Sequence, residues 1–324
     1  MAFLRKREEI IWWGLALGII LGLALISNQS DIIGRDWRNS YRPATLSGDF
    51  VHHPAVANPL HVLFLFYPLA LLPTLGGYIA LMVLSVISMR LIAYLAPVSK
   101  WLIFPSFPAL WMLVYGQIDT FVALGVGLGW WAIRTKRPYW QGVATLLLCF
   151  KPHLGGLLAL IYLFWQWDRR AFVVSGVVGL ISLVLFGLGW PLEWLQRLVF
   201  ETSITLKGSG SFGNPANDFN DIGLFPYGLL LWPLVMLPYP RQQKIPAIIG
   251  ACISSSPYAG NYSLMAVMAV PLAIWFYPLL SLPFLGYIGY SLITLVPIAL
   301  VVYPVIAKYA GYFLGRRETA ERAS

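Results

Sequence analysis

The chain has 324 residues, of which 59% are hydrophobic and 11% are charged, and its mean hydropathy is +0.72. Long apolar runs recur from end to end, which excludes a sizeable soluble domain and indicates a polytopic membrane protein. Lipid offers no partners to backbone N–H and C=O groups, so we expect these runs to be helices and the fold to be all-α. The net charge of +9 is divided among clusters between the runs, which indicates membrane topology rather than nucleic-acid binding.

The first apolar segment, "IIWWGLALGIILGLALIS", follows the charged stretch "RKREE". No small-residue cleavage site comes after it, so we expect a retained transmembrane helix rather than a signal peptide. Cys149 and Cys252 lie inside later apolar runs. We expect them to be packing residues, with no disulfide or metal framework.

The basic clusters predict the topology, because under the positive-inside rule they lie in the cytoplasm and successive clusters are separated by an even number of crossings. The clusters are Arg5-Lys6-Arg7, Lys100, Arg134-Lys136-Arg137, Arg169-Arg170, Arg241-Lys244 and Arg316-Arg317. The pattern predicts a single transmembrane domain over residues 1–324, with about twelve crossings and cytoplasmic termini. A first outer loop is expected at 27–75 and a further one at 191–222.

Three apolar runs precede Lys100, where an even count allows two crossings. The second run, "PLHVLFLFYPLALLP", is short and bounded by prolines, so we expect residues 59–73 to form a juxtamembrane helix at the outer face. The polar turns "YGQID" (115–119), "KPH" (151–153) and "SPYAGNY" (256–262) are also placed outside. The helices between them are about 13 to 16 residues, or roughly 20 to 24 Å, long. We therefore expect these turns to surround a sunken cavity.

A polar strip, "RDWRNSYRPATLSGDFVHHPAVANP" (35–59), follows the first apolar segment. Asp31, Asp36 and Asp49 are candidate catalytic carboxylates, and spacing alone does not choose among them. Each is also explained as a solvated residue or a helix cap. His52 and His53 are adjacent, which is a poor spacing for a metal pair, so no metal site is predicted.

Lys151 lies between "LLLCF" and "PHLGGLLAL", so its ammonium group is close to the bilayer. A lysine at the centre of a membrane helix costs about 2.5–3.5 kcal/mol, although one near the interface can extend its ammonium group outward to water. Pro152 interrupts the helix here, and His153 adds a second polar group. A lysine in a broken, inward-facing turn suits a bound phosphate.

In the turn "GQID", Gln117 and Asp119 open a helix, where amides and carboxylates cap free backbone N–H groups. Gly116 permits close approach of the backbone to another group. The chain contains neither a P-loop nor a G-x-S-x-G motif. We therefore expect no nucleotide cofactor, and a phosphate substrate would come from the lipid phase.

Five short motifs, in order, resemble those of the polyprenol-phosphate-mannose-dependent α-mannosyltransferases of glycosyltransferase family 87, which have the GT-C membrane fold. They are "DWRNSYRPATLSGDF", "NPLHVLFLFYPLALLP", "GQIDTFVALGVGL", "CFKPHLGGLL" and "SPYAGNY". The chain departs from the family pattern at three places. Asp119 stands where the family usually has Asn, Asn58-Pro59 replaces Pro-Pro, and Asn261 and Tyr262 stand where a His is common.

The resemblance implies that Asp36 is the catalytic carboxylate, because it alone stands correctly before Tyr41 and Ala44. It implies a GT-C bundle, a polyprenyl-phosphate mannose donor, a lipid-linked or cell-envelope glycan acceptor, and inversion in one displacement. Asp36 would be the base for the acceptor hydroxyl. The residues implied in binding the donor phosphate and substrates are Tyr41, Arg42, Gln117, Asp119, Lys151, His153, Asn261 and Tyr262.

The main alternative is a lipid or small-solute transporter or flippase, which also uses broken helices and charges within the membrane. Transporters often contain internal repeats, and the sequence has no convincing one. A non-catalytic scaffold is the third candidate, which the converging polar turns disfavour. We therefore expect a cell-membrane enzyme with its active site on the outer side, without a resident cofactor or metal and without a nucleic-acid partner.

Overall fold

The computed structural model describes residues 2–48, 50, 58–96, 98–165, 167–196, 224, 227–256, 261–270, 276–285 and 292–321. For residues 2–5, 241–242, 261–262 and 310–321 it describes the backbone only. Asp49, His52, His53 and most of the predicted loop at 191–222 lie outside the described residues.

The described residues form helices and turns, and no β-strand occurs among them, in agreement with the all-α prediction. The α-helices are α1 (Ala2–Ile26), α2 (Arg42–Ser47), α3 (Leu63–Ala70), α4 (Thr74–Leu95), α5 (Lys100–Ile103), α6 (Phe107–Tyr115), α7 (Asp119–Arg134), α8 (Pro138–Leu148), α9 (Pro152–Trp165), α10 (Arg169–Phe186), α11 (Trp232–Met236), α12 (Arg241–Ser255), α13 (Met265–Met268), α14 (Phe276–Leu279) and α15 (Leu295–Glu321). Residues 190–196 are also helical. The 3₁₀ turns are Ser27–Gln29, Leu60–Val62, Tyr227–Leu231, Asn261–Leu264 and Leu282–Leu285, and a π-helical turn covers Trp37–Tyr41.

Local sequence sets several of the helix ends. Pro138 and Pro152 begin α8 and α9, where a fixed φ suits the first helical residue and the missing N–H loses no hydrogen bond. The Asp168 carboxylate accepts a hydrogen bond from the Arg170 N–H at 2.9 Å and so caps α10. Gly116 follows α6 in a left-handed conformation that stops the helix.

Helix α7 lies at the centre of the core. It contacts α4, α8, α9 and α13, and 13 of its 16 residues are buried. Three glycines in the run "GVGLGW" leave room for this packing, since a Cβ at Gly125 would lie 2.9 Å from the Ala144 carbonyl oxygen of α8. The first residue of this central helix is Asp119, which places that carboxylate inside the protein.

Three described helices are long and apolar enough to cross a membrane: Lys6–Gln29, Thr74–Leu95 and Arg169–Phe186. The first of them contains the segment that we expected to be a retained helix. Shorter apolar helices cover Leu60–Ala70, Pro152–Trp165, Tyr227–Met236 and Leu295–Tyr309. The helices between the polar turns were predicted to be short. Helices α7 and α9 have 16 and 14 residues, as expected, and α8 is shorter still at 11. The count of about twelve crossings stays a prediction.

The segment expected at 59–73 is a short helix. The 3₁₀ turn Leu60–Val62 leads directly into α3, and the combined helix ends at Ala70. At 1.5 Å per residue it is roughly 16 Å long, well below the ~30 Å hydrocarbon core of a bilayer. Helix α8 has the same number of residues, so length alone does not separate a crossing from a surface helix, and the position of α3 at the outer face stays a prediction.

The loop after α1 is fastened to the start of α4 through Trp37. The Trp37 indole is fully buried, and its Nε1 donates to the Thr74 carbonyl at 3.0 Å. A Cβ at Gly77 would lie 2.6 Å from the Trp37 ring and 2.6 Å from the Leu69 carbonyl oxygen. Contacts this short do not fit an alanine, so the indole can occupy its site only because residue 77 is glycine.

Two neighbouring glycines of α4 provide a matched test. Gly77→Ala should lower the melting temperature of the detergent-purified protein, because the new methyl overlaps backbone and a buried ring. Gly76→Ala should leave it unchanged or raise it, because its Cβ would find only ordinary contacts at 3.7 Å and alanine favours a helix. Thermal unfolding followed by tryptophan fluorescence measures both. Equal melting temperatures for the two variants would contradict the described packing of Trp37.

Candidate active site

The turn between α6 and α7 carries two of the predicted site residues. Gly116 is left-handed, with φ +73°, and a Cβ there would lie 3.1 Å from the Trp37 Cβ and 3.3 Å from the Tyr78 ring. Glycine therefore serves both the backbone conformation and the close approach of two aromatic side chains. Gln117 and Asp119 follow with buried side chains, 7% and 1% exposed.

The turn between α8 and α9 carries Lys151, which is 5% exposed. The Asn58 amide donates to the Phe150 carbonyl at 2.6 Å, and His61 Nε2 lies 3.3 Å from the Leu146 carbonyl oxygen. These contacts satisfy carbonyl groups at the end of α8, which lack partners inside the helix. They also fasten the turn to the segment that leads into α3, so Lys151 is held in a defined position.

Lys151 and Asp119 form a buried ion pair. Lys151 Nζ lies 2.7 Å from Asp119 Oδ2 and donates to Gln117 Oε1 at 2.9 Å. Asp119 Oδ1 accepts a hydrogen bond from Ser263 Oγ at 3.2 Å. Both charges have left water, which is costly unless each finds a charged partner and further hydrogen bonds. The two side chains satisfy that condition, and they join the turns before α7 and α9 to the residues just before α13.

Asp36 enters the same network through one amide. Gln117 Nε2 donates to Asp36 Oδ2, while Gln117 Oε1 accepts from Tyr41 Oη at 2.8 Å as well as from Lys151. Asp36 Oδ1 makes no hydrogen bond within the described part of the chain. Asp36 is half-buried, and Gln117 holds one of its two carboxylate oxygens.

The backbone around Asp36 is anchored on both sides. Arg38 donates to the carbonyls of Ser27 and Ser30 at 3.1 and 2.7 Å, which closes the chain back onto the end of α1. The next residues form the π-helical turn Trp37–Tyr41, in which both end residues are buried. Such turns widen a helix locally and occur often at functional sites. Here the turn directs Tyr41 and Asp36 towards the same glutamine.

Burial raises the pKa of Asp36 above the ordinary value for an aspartate. The Gln117 hydrogen bond and the positive charges of Lys151 and Arg35 oppose that rise in pKa, while the negative charge of Asp119 adds to it. A carboxylate with a raised pKa accepts a proton more readily than an ordinary aspartate does. The raised pKa therefore suits Asp36 to accept a proton from a bound ligand.

The structure brings together five of the predicted site residues in this single network: Asp36, Tyr41, Gln117, Asp119 and Lys151. Arg42 follows Tyr41 in the chain, is half-buried, donates weakly to the Leu72 carbonyl at 3.4 Å, and has an Nε without a partner among the described residues. His153 is half-buried in the first turn of α9. The side chains of Asn261 and Tyr262 lie outside the described residues.

The alternative explanation of Asp119 as a helix cap does not hold, while its predicted role in substrate binding stays a prediction. Asp119 is the first residue of α7, but its two oxygens bind Lys151 and Ser263 instead of the free N–H groups of its own helix. Asp31, the competing carboxylate, is exposed at the end of α1 and takes no part in the network. Asp49 lies outside the described residues, as do His52 and His53. Among the described residues no three potential metal ligands come together.

Sequence reasoning missed two supporting residues. Ser263 follows "SPYAGNY" directly, and its position after a predicted outer turn was the only signal available. Asn58 was noticed only as a departure from the family pattern. In the structure its amide binds the Phe150 carbonyl, a contact that proline cannot make because it has no donor.

The buried ion pair predicts a rescue by a second substitution. Lys151→Met leaves the Asp119 carboxylate buried without a cation, so the free energy of unfolding should fall by about 3–5 kcal/mol. Lys151→Met/Asp119→Asn removes the stranded charge as well and should recover most of that loss. Denaturant unfolding of the purified variants measures both values.

Arg170→Met is the matched control, because it removes the cation of an exposed pair with Asp168 and leaves the backbone cap of α10 in place. Its unfolding should follow that of the wild type, since exposed pairs contribute little. A double variant no more stable than Lys151→Met alone would show that the two side chains are not coupled.

Comparison with known proteins agrees with the resemblance of the motifs. The sequence model of glycosyltransferase family 87 matches residues 57–237, which is more than half of the chain. The matched range contains Gln117, Asp119 and Lys151, while Asp36 and Tyr41 precede it. No curated protein and no solved structure matches the chain. The chain therefore belongs to glycosyltransferase family 87, a family of membrane glycosyltransferases.

Proposed function

We propose that this glycosyltransferase moves a mannosyl group from a polyprenyl-phosphate donor to a lipid-linked or cell-envelope glycan acceptor, with inversion at the anomeric carbon. The observation that carries the proposal is the link between Asp36 and Lys151. One buried amide joins a half-exposed carboxylate to a buried ammonium group. Transfer from a sugar phosphate requires a base for the acceptor hydroxyl and a positive charge for the departing phosphate, and this site contains both.

Asp36 is the proposed general base. The acceptor hydroxyl donates its proton to Asp36 Oδ1, the oxygen that is free in the described residues, as its own oxygen attacks the anomeric carbon. The bond between that carbon and the phosphate oxygen breaks on the opposite face, and polyprenyl phosphate leaves with the electron pair. The leaving group is a weak base, so no general acid is needed.

Lys151 is proposed to stabilise the charge that grows on the departing phosphate. Lys151 is 5% exposed, and in such surroundings a charge acts more strongly than in water. Arg42 supports this role, because its buried Nε lacks a partner among the described residues and a guanidinium binds phosphate well. His153 follows two residues after Lys151 in the first turn of α9 and is proposed as a further contact. No resident cofactor or metal enters this scheme.

The proposed topology places the site at the outer face of the cell membrane, with both termini in the cytoplasm and a GT-C bundle of about twelve crossings. Two features support it. The helix Leu60–Ala70 is short and lies between Pro59 and Pro73, and Asn58 and His61, at its start, contact the end of α8 close to Lys151. This helix would lie along the surface beside the lipid donor.

Asp36→Asn should reduce kcat about 10²–10⁴-fold, because the amide keeps the size of the carboxylate but cannot accept the proton. Asp31→Asn is the matched control and should retain wild-type activity, since Asp31 is exposed outside the network. The assay follows mannose transfer from radiolabelled polyprenyl-phosphate mannose to a membrane lipid extract. Normal turnover by Asp36→Asn, with an unchanged melting temperature, would contradict the assignment.

A cysteine pair tests the topology in a Cys149→Ala/Cys252→Ala background. Leu71→Cys, just after α3, should react in intact cells with a membrane-impermeant maleimide, since Leu71 is 64% exposed. Thr135→Cys, in the exposed turn between α7 and α8, should react only after permeabilisation. The reverse pattern would place the site on the cytoplasmic side.

A further inference from the structure

The Gln117 side chain has a fixed orientation within the site. Its Oε1 lies 2.8 Å from Tyr41 Oη and 2.9 Å from Lys151 Nζ. An ammonium group can only donate, so the oxygen of the amide must face Lys151. The nitrogen then faces Asp36 and donates to its Oδ2. A rotated amide would place N–H groups against Lys151 and an oxygen against a carboxylate, and it would lose both contacts.

The Gln117 backbone is as well fixed as its side chain. Its N–H donates to the Met112 carbonyl at 3.0 Å, just after the left-handed Gly116. Gln117 is 7% exposed, and protein groups bind both the oxygen and the nitrogen of its amide. Little of its side chain is therefore accessible to a substrate. The arrangement suits a residue that holds another side chain.

We propose that Gln117 is a positioning residue, which holds the Asp36 carboxylate and links it to the Lys151 ammonium group, instead of binding the sugar donor. This inference rests on the proposed role of Asp36 as base. By occupying Oδ2, the amide leaves Oδ1 as the oxygen that meets the acceptor hydroxyl. It thereby selects the direction from which the proton is removed.

The link also affects how strongly Asp36 holds a proton. Lys151 polarises the amide at its oxygen. This strengthens the hydrogen bond that the amide N–H donates to Asp36. A hydrogen bond to the charged form lowers the pKa of a carboxyl group. The other charges that act on Asp36 are Asp119, at the start of α7, and Arg35, beside it in the chain. Removal of the Gln117 amide would therefore raise the pKa of Asp36 further.

Gln117→Met tests the inference, because methionine fills a similar volume and neither donates nor accepts strongly. We expect kcat to fall about 10–100-fold, the effect of losing a hydrogen bond to a charged group, while the KM for polyprenyl-phosphate mannose changes less than about threefold. The acid limb of kcat/KM should move to higher pH. A raised KM with normal kcat would identify Gln117 as a substrate contact and overturn the proposal.

A second readout does not depend on activity. Dicyclohexylcarbodiimide modifies protonated carboxyl groups, so the extent of Asp36 labelling against pH, followed by mass spectrometry of its peptide, reports its proton affinity. In Gln117→Met the labelling should persist to higher pH than in the wild type. An unchanged labelling profile would overturn the proposal. A shifted profile together with normal transfer by Asp36→Asn would support the link and reject only the base role.

Gln141→Met is the matched control. Gln141 is fully buried, and its Nε2 donates to the Tyr162 carbonyl instead of to a carboxylate. This variant should lose stability without moving the Asp36 labelling profile, whereas a shift in that profile would overturn the proposed specificity.

If Gln117→Met does not fold, Tyr41→Phe replaces it. That change removes one of the two donors to Gln117 Oε1, so a smaller shift in the same direction is expected, and no shift would count against the proposal.

Discussion

The buried ion pair between Lys151 and Asp119 is the constraint on which the site depends. Two charges in the interior are stable only when they lie close together and their remaining hydrogen-bonding capacity is used. Gln117 and Ser263 supply further hydrogen bonds to the pair. The turns that carry these residues therefore cannot shift independently. The left-handed Gly116 and the Asn58 contact at the end of α8 are local devices that keep the turns where the pair requires them.

The same arrangement gives two carboxylates different surroundings. Asp119 is 1% exposed and faces a cation directly, so its charge is compensated. Asp36 is half-buried and meets the cation only through an amide, so its Oδ1 has no partner among the described residues, and burial raises its pKa. Neighbouring acids whose surroundings differ in this way are a frequent basis for acid–base chemistry.

Sequence patterns predicted the elements of the site better than their contacts. The proline-interrupted apolar run correctly predicted a helix–turn–helix around Lys151, and the polar turn predicted the start of α7 at Asp119. Nothing in the chain showed that these two residues pair, because the contact depends on how α7 packs against α9. An acidic residue at a helix start fits capping equally well, so the sequence left capping open as an alternative. Asp36 was separable from Asp31 and Asp49 only through the family resemblance.

The spacing of the network along the chain has a consequence for biosynthesis. Asp36 and Gln117 are 81 residues apart, Gln117 and Lys151 are 34 apart, and Asp119 and Ser263 are 144 apart. The first loop is synthesised long before its partners. During insertion Asp36 therefore lacks the Gln117 amide, and Asp119 lacks the Ser263 hydroxyl. The site is thus completed late, after most of the helices are in the membrane. An incomplete chain cannot hold the carboxylate and the cation in the geometry of the finished protein.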